Sequence, residues 1–196
     1  MTNRKELGAG LIPFSRVNGE VCFLFHKTFS GRRAGSLVDF GGGSDGNETH
    51  RQTAIREFIE ETETLFFADD IQTAVRTPEG IRSQATILGK LFDHTQDAHP
   101  EWRCRRMSGR KSGEKDWLTF FVAFDYKDVE GMNRVWEEDK GKRFVKRREL
   151  IWIPAGELLQ ILDRQPEMLW KRLRKLEHME TVLRAIVDCL DDGADT

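Results

Sequence analysis

No two cysteines in this chain are spaced as a C-x-x-C pair; Cys22, Cys104 and Cys189 form an odd and scattered set. That excludes the familiar zinc-site spacings and a disulfide framework, and it makes a reducing cytoplasm the expected location. No apolar run approaches the length of a membrane span, and the charged opening MTNRKELGAG has no apolar signal core. The formal net charge is only −2, so no global basic field draws the chain to nucleic acid. The five histidines show no metal-ligand spacing, and there is no internal repeat or low-complexity tract. Against these absences stand 196 residues, 38% of them apolar, with 13 Phe and 5 Trp, which argue for a folded chain. That length suits a single domain over residues 1–196 with a core that needs no staples.

Local pattern predicts strands at Leu7–Phe14, Val21–His26, Leu37–Phe40, Leu118–Phe124 and Leu150–Ile153, with a turn over Val17–Glu20. Val21–His26 is apolar throughout, as in a strand buried on both faces. Helices are expected at about Thr49–Thr62, from Pro78 onward with Thr77 as N-cap, and around Glu157–Leu159. A long helix is expected over 166–190, with Leu169, Leu173, Leu176, Leu183, Val187 and Leu190 on one stripe. That stripe either docks on the parent domain or forms a homodimer seam. Strands alternating irregularly with helices suggest an α/β fold, a mixed sheet covered by helices on both sides.

The stretch GGSDGNETHRQTAIREFIEE carries the chemistry. Glu57, Glu60 and Glu61 stand at i, i+3 and i+4 and project from one side of a helix, while Ile55, Phe58, Ile59 and Thr62 form the opposite stripe. Like charges at such spacing cost a helix about 0.2–0.5 kcal/mol per pair. The simplest compensation is a hard divalent cation with oxygen ligands, Mg²⁺ or Mn²⁺, and through it phosphate chemistry. Gly41-Gly42-Gly43 lies just upstream; no Gly-Lys-Ser/Thr follows, so it is not a P-loop.

Gly42 to Thr64 resembles the Nudix box, the signature of the Nudix hydrolases: Gly, five residues, Glu, seven residues, then Arg-Glu-apolar-x-Glu-Glu-x-Gly-apolar. Gly42, Glu48, Arg56, Glu57, Phe58, Glu60 and Glu61 fall at matching positions, whereas Glu63 stands at the family glycine and Thr64 at the apolar residue after it. GAGLIPF and VCFLFH upstream, and ELIWIPAGEL downstream, resemble the first and late strands of that fold. The resemblance implies an α/β/α sandwich and metal-dependent hydrolysis of a nucleoside diphosphate linked to another moiety. It assigns Glu57, Glu60, Glu61 and the Gly41 carbonyl to the metal, and an Arg56–Glu48 pair to bracing the loop. Water would attack a phosphorus of the pyrophosphate, and a box carboxylate or a loop glutamate (Glu101, Glu114, Glu130, Glu137 or Glu138) would take its proton. Without its glycine, the helix is expected to end differently or to run a turn longer.

Arg32 and Arg33 in the loop 28–36, and Arg105, Arg106 and Arg110 in the basic segment 103–115, are either solvated surface or a clamp for phosphate oxygens. A small-molecule nucleotide or other diphosphate is the favoured ligand over nucleic acid, with no membrane partner. Two further classes are a hydrolase directed at RNA ends or caps, with 103–115 as the strand path, and a non-catalytic nucleotide-sensing module. Intact carboxylates argue against the sensor; steep salt dependence of RNA binding would favour the RNA-end enzyme.

Overall fold

The computed structural model describes residues 7–106, 116–140, 142–144 and 146–192. A hairpin of β1 (Leu7–Val17) and β2 (Glu20–Thr28) turns at Asn18-Gly19, whose φ values are 51° and 86°. Two residues at positive φ match the right-handed twist of the flanking strands, as two-residue hairpins require. The eleven-residue β1 is long enough to have two antiparallel partners along one edge. Its second half pairs with β2 and its first half, Gly8–Leu11, with β3 (Phe40–Gly43). On its other edge β1 runs parallel to β5 (Asp116–Ala123), which β4 (Arg103–Arg105) extends. β6 (Arg148–Pro154) closes the far side against β2, giving the order β4-β5-β1-β2-β6 with β3 off that path.

Period-2 alternation splits the apolar side chains between the two faces of the sheet. Leu11, Leu24, Phe120, Val122 and Leu150 face a core with α1 (His50–Glu61), α2 (Pro78–Ala98) and α3 (Glu130–Asp139). Phe14, Phe23, Phe121 and Ile153 face a second core with α4 (Ala155–Arg164) and α5 (Met179–Asp192). The mixed sheet between two helical layers is the expected sandwich. Trp102, Trp117, Trp136, Phe120, Phe121 and Phe124 are all buried in it, as expected of core aromatics. α2 is the inserted helix foreseen near Pro78, with the Thr77 hydroxyl accepting the Gly80 amide at 3.0 Å.

Residues 166–190 differ from expectation. One long helix is replaced by 3-10 turns at Pro166–Met168 and Leu173–Lys175, followed by α5. The reason lies in backbone bonds that a helix would have needed for itself. Leu37 N–H donates to Met168 O, Trp170 N–H to Leu37 O, and Glu177 N–H to Arg105 O, at 2.8, 2.9 and 2.8 Å. Leu169, Leu173 and Leu183 are at most 1% exposed, so the leucine stripe docks onto its own sheet. The basic segment also divides: 103–105 is strand, while Arg110, Lys111, Glu114 and Lys115 lie outside the described residues.

Candidate functional site

A capping box starts α1. Thr49 and Gln52 satisfy each other's amides, which fixes the helix beginning just after Glu48. Ile55, Phe58 and Ile59 then enter the core, and the three glutamates come out against β3. Glu57 rests on Gly42: a β-carbon there would stand 2.1 Å from Glu57 Oε1. Glu61 lies deeper, 8% exposed, and its Oε2 accepts the Gly41 amide at 2.8 Å. His26 Nε2 is 3.5 Å from that oxygen, while Arg148 Nη2 and Arg33 Nη1 lie 3.6 and 3.8 Å from Oε1. Glu60 is the outermost, held by Arg76 at 2.8 Å and Arg56 at 3.1 Å.

Arg56 is paired with Glu48 bidentately, Nε to Oε1 at 2.8 Å and Nη2 to Oε2 at 3.0 Å. The same guanidinium donates to Gly43 O at 2.8 Å and Glu57 Oε1 at 3.0 Å, so it ties the turn, the loop and the helix together. Burial opposes its charge, but Glu48 and Glu57 outweigh that and hold its pKa above the ordinary value.

The carboxyls are driven apart in pKa. Burial pushes Glu61 up, yet His26, Arg148 and the Gly41 amide overcome it and bring it down to about 2. Burial pushes Glu57 up, and the charges of Glu61 and Glu60 add to it beyond what Arg56 offsets. The like-charge repulsion read from the sequence is thus relieved in large part by guanidinium groups and a buried imidazole. Among the described residues, no group of three His, Cys, Asp or Glu side chains converges on one point.

The helix end departs from expectation as well. α1 stops at Glu61, and Glu63 and Thr64 both take left-handed conformations, with φ of 51° and 62°. Thr64 N–H bonds to Ile59 O at 3.0 Å and Glu63 N–H to Glu60 O at 3.1 Å, the pair of bonds of a Schellman cap. Glu63 does what the family glycine would do, at a cost of about 1–2 kcal/mol for a residue with a β-carbon. Buried contacts hold it there: Arg148 Nη1 is 3.8 Å from its carboxylate, and Gln84 donates to Thr64 O at 2.7 Å.

Behind β3 lies a layer that was not foreseen. Asp39, fully buried, receives Arg172 Nε and Nη2 on Oδ1 at 3.0 and 2.6 Å and the Thr119 hydroxyl on Oδ2 at 3.3 Å. Arg172 Nη2 also sits 3.3 Å from Gly41 O and stacks its guanidinium 4.0 Å from the Trp117 ring centre. Both backbone groups of Gly41 are therefore engaged, the amide by Glu61 and the carbonyl by Arg172.

Among the described residues, three clefts open on this arrangement, the smallest, of about 250 Å³, lined by Glu57, Glu60, Glu61 and Glu63 with Arg76, Lys146 and Arg148. One of about 620 Å³ brings Glu57 and Glu61 together with Arg32, Arg33, Lys146, Arg147 and Arg148. Of the basic residues singled out in the sequence, Arg32 and Arg33 reach it, and Arg106 lines the neighbouring cleft. Arg105 instead turns to Asp116 at 3.1 Å and lines none of the three. None of Glu101, Glu130, Glu137 and Glu138 lines these clefts; Glu101 pairs with His99 and Glu137 with Arg147. Sequence reading missed His26, Arg76 and Lys146-Arg147-Arg148. The last is a run of three cations leading into β6, a signal that was there to be used.

The helix-flanked mixed sheet, with α1 following a glycine strand, is the Nudix fold. The crystal structure of a C. elegans Ap4A hydrolase binary complex superposes with a TM-score of 0.50 at 15% identity, covering 94% of this chain and 97% of that one. The NUDIX domain of Shewanella oneidensis NrtR, solved with ADP ribose, gives a TM-score of 0.44 at 14% identity over 93% of this chain and 88% of that one. At 15% identity the likeness to the C. elegans structure is one of fold. In sequence, 62 residues are 42% identical to an uncharacterised protein, L534, of Acanthamoeba polyphaga mimivirus. That match takes in 30% of this chain and only 20% of the viral protein. No protein-family model matches the chain.

Proposed function

We propose that this chain, as one domain over 1–196, is a cytoplasmic metal-dependent pyrophosphohydrolase acting on a nucleoside diphosphate linked to another moiety. One observation carries the reading: the α1 carboxylates meet a bare glycine backbone at the floor of a cleft whose walls are cationic. Glu57, Glu60, Glu61 and the Gly41 carbonyl would hold Mg²⁺ or Mn²⁺. The donor set fits such an ion in kind, being hard oxygen throughout, and the Glu57 carboxyl is raised first by burial and then by its acidic neighbours Glu61 and Glu60, whose charge a bound cation would offset. When bound, the ion polarises the phosphoanhydride and acidifies water.

The chain's own groups do the rest. Arg32, Arg33, Lys146 and Arg147 offer donors to phosphate oxygens. His26 and Arg148 keep Glu61 ionised, and Arg56 and Glu48 hold the turn against the helix. A box carboxylate accepts the proton of the attacking water. No described helix is long and apolar enough to cross a membrane.

The test is a hydrolysis screen of purified protein with Mg²⁺ on ADP-ribose, dinucleotides, nucleotide sugars and capped RNA. Glu60→Gln, at the exposed end of the trio, is expected to lower turnover on the order of 100-fold on the preferred compound. Glu61→Gln should lower it similarly while also loosening the fold, because it leaves the buried Arg148 short of a charge partner. Wild-type rates in Glu60→Gln on every compound would remove the assigned site.

A further inference from the structure

The neighbouring cleft, of about 420 Å³, shares Arg33, Gly42 and Trp170 with the 620 Å³ cleft and continues it away from the carboxylates. Its lining includes five cations, Arg33, Arg106, Lys171, Arg172 and Lys175, and no carboxylate among the described residues. The charge of Arg172 is already matched by Asp39. Among the described residues, neither Lys171 nor Lys175 has a carboxylate within ion-pair distance, and both line the cleft.

The wall is built rather than loose. Residues 168–175 are tied to the segment 37–41 that leads into β3 through the Leu37 and Trp170 amides, through buried Leu169 and Leu173, and through Arg172 on Asp39 and Gly41. The aromatic faces in the cleft are occupied by cations. Arg172 covers Trp117, and Lys171 Nζ and Arg33 Cζ lie 5.2 and 5.6 Å from the Trp170 ring centre. A base would need a bare face to stack on, whereas positioned ammonium and guanidinium groups suit phosphate.

We infer that this cleft is a second anion subsite, and that the substrate carries at least one phosphate group beyond the pyrophosphate being cleaved. The inference rests on the proposed hydrolase reading for where the scissile pyrophosphate lies. Lys171 and Lys175 hold the additional phosphate across Gly42 from the carboxylates and act on binding, leaving the chemistry to α1.

Calorimetric titration with inorganic pyrophosphate and inorganic triphosphate, on the full chain at fixed ionic strength, tests it. Wild type is expected to bind triphosphate about tenfold more tightly than pyrophosphate. Lys171→Gln/Lys175→Gln is expected to lose that preference while its pyrophosphate affinity stays within twofold. Lys90→Gln, an exposed lysine on α2, should retain the preference, and circular dichroism checks that each variant is folded. Equal affinity for the two anions in wild type, or a preference that survives the double substitution, overturns the subsite. A preference that appears in a protein inactive on the whole panel leaves the subsite standing and removes the hydrolase; activity without the preference does the reverse.

Discussion

Gly42 has no side chain, and the Glu57 carboxylate fills the space where one would be. Gly10 does the same for the buried Asp39, whose Oδ2 would lie 2.2 Å from a β-carbon at that position. Gly42 admits a carboxylate to the backbone of β3, and Gly10 admits one to the backbone of β1. Gly42→Ala is therefore expected to displace Glu57 and to lower turnover on the order of 100-fold. The fold should survive, because the strained neighbour is the mobile end of a side chain next to an open cleft. Steady-state kinetics beside a thermal melt checks this; unchanged kcat would mean that the placement of Glu57 on the glycine is incidental.

Elements hold these residues in place through very few bonds. α1 is stopped by Glu63 in a conformation that glycine adopts freely, and the segment from Asp39 into β3 is pinned from behind by Arg172. The Arg172–Asp39 pair is almost completely buried, with side chains 8% and 0% exposed. Removing one member of such a pair leaves an uncompensated charge in a low-dielectric interior and typically costs about 3–5 kcal/mol. Asp39→Asn is expected to lose roughly that much, read as a lower urea midpoint with an unchanged slope. Because Arg172 also touches Gly41 O, activity should fall even at temperatures where the variant remains folded. A midpoint equal to wild type would assign the pair no structural role.

Across the whole molecule, acid stability should register the brace at the head of α1. Burial works against the Glu48 carboxylate, but the Arg56 hydrogen bond, the Asp45 amide and the Thr53 hydroxyl pull its pKa below 4.5. A carboxyl depressed in the folded state stabilises fully above its unfolded pKa, and that contribution disappears as pH falls through the folded value. The metal-free protein should thus lose Tm on going from pH 5 toward pH 3. Glu48→Gln should start from a lower Tm at pH 7 and show a shallower acid limb. Identical slopes in the two proteins would show that Arg56 does not stabilise the Glu48 anion.

The box, the two-faced apolar strands, the N-cap at Thr49 and the inserted helix after Thr77 are properties of neighbouring residues, so the chain displays them as a string. Period and spacing are local, and for that reason the sandwich, α1 and its three glutamates were legible before any coordinates. What answers those glutamates was not. His26, Arg76 and Arg148 come from separate stretches of the chain, and the pairing of β2 with β1 and β6, and of β1 with β3, brings His26 and Arg148 to Glu61. The same holds for 166–190, where heptad-like leucines suggest a helix but Leu37, ahead of β3, and Arg105 of β4 take its backbone bonds. Local sequence determined which residues carry charge and which face is apolar; long-range packing decided which charges meet, because partners distant in the chain become neighbours only once the sheet has formed.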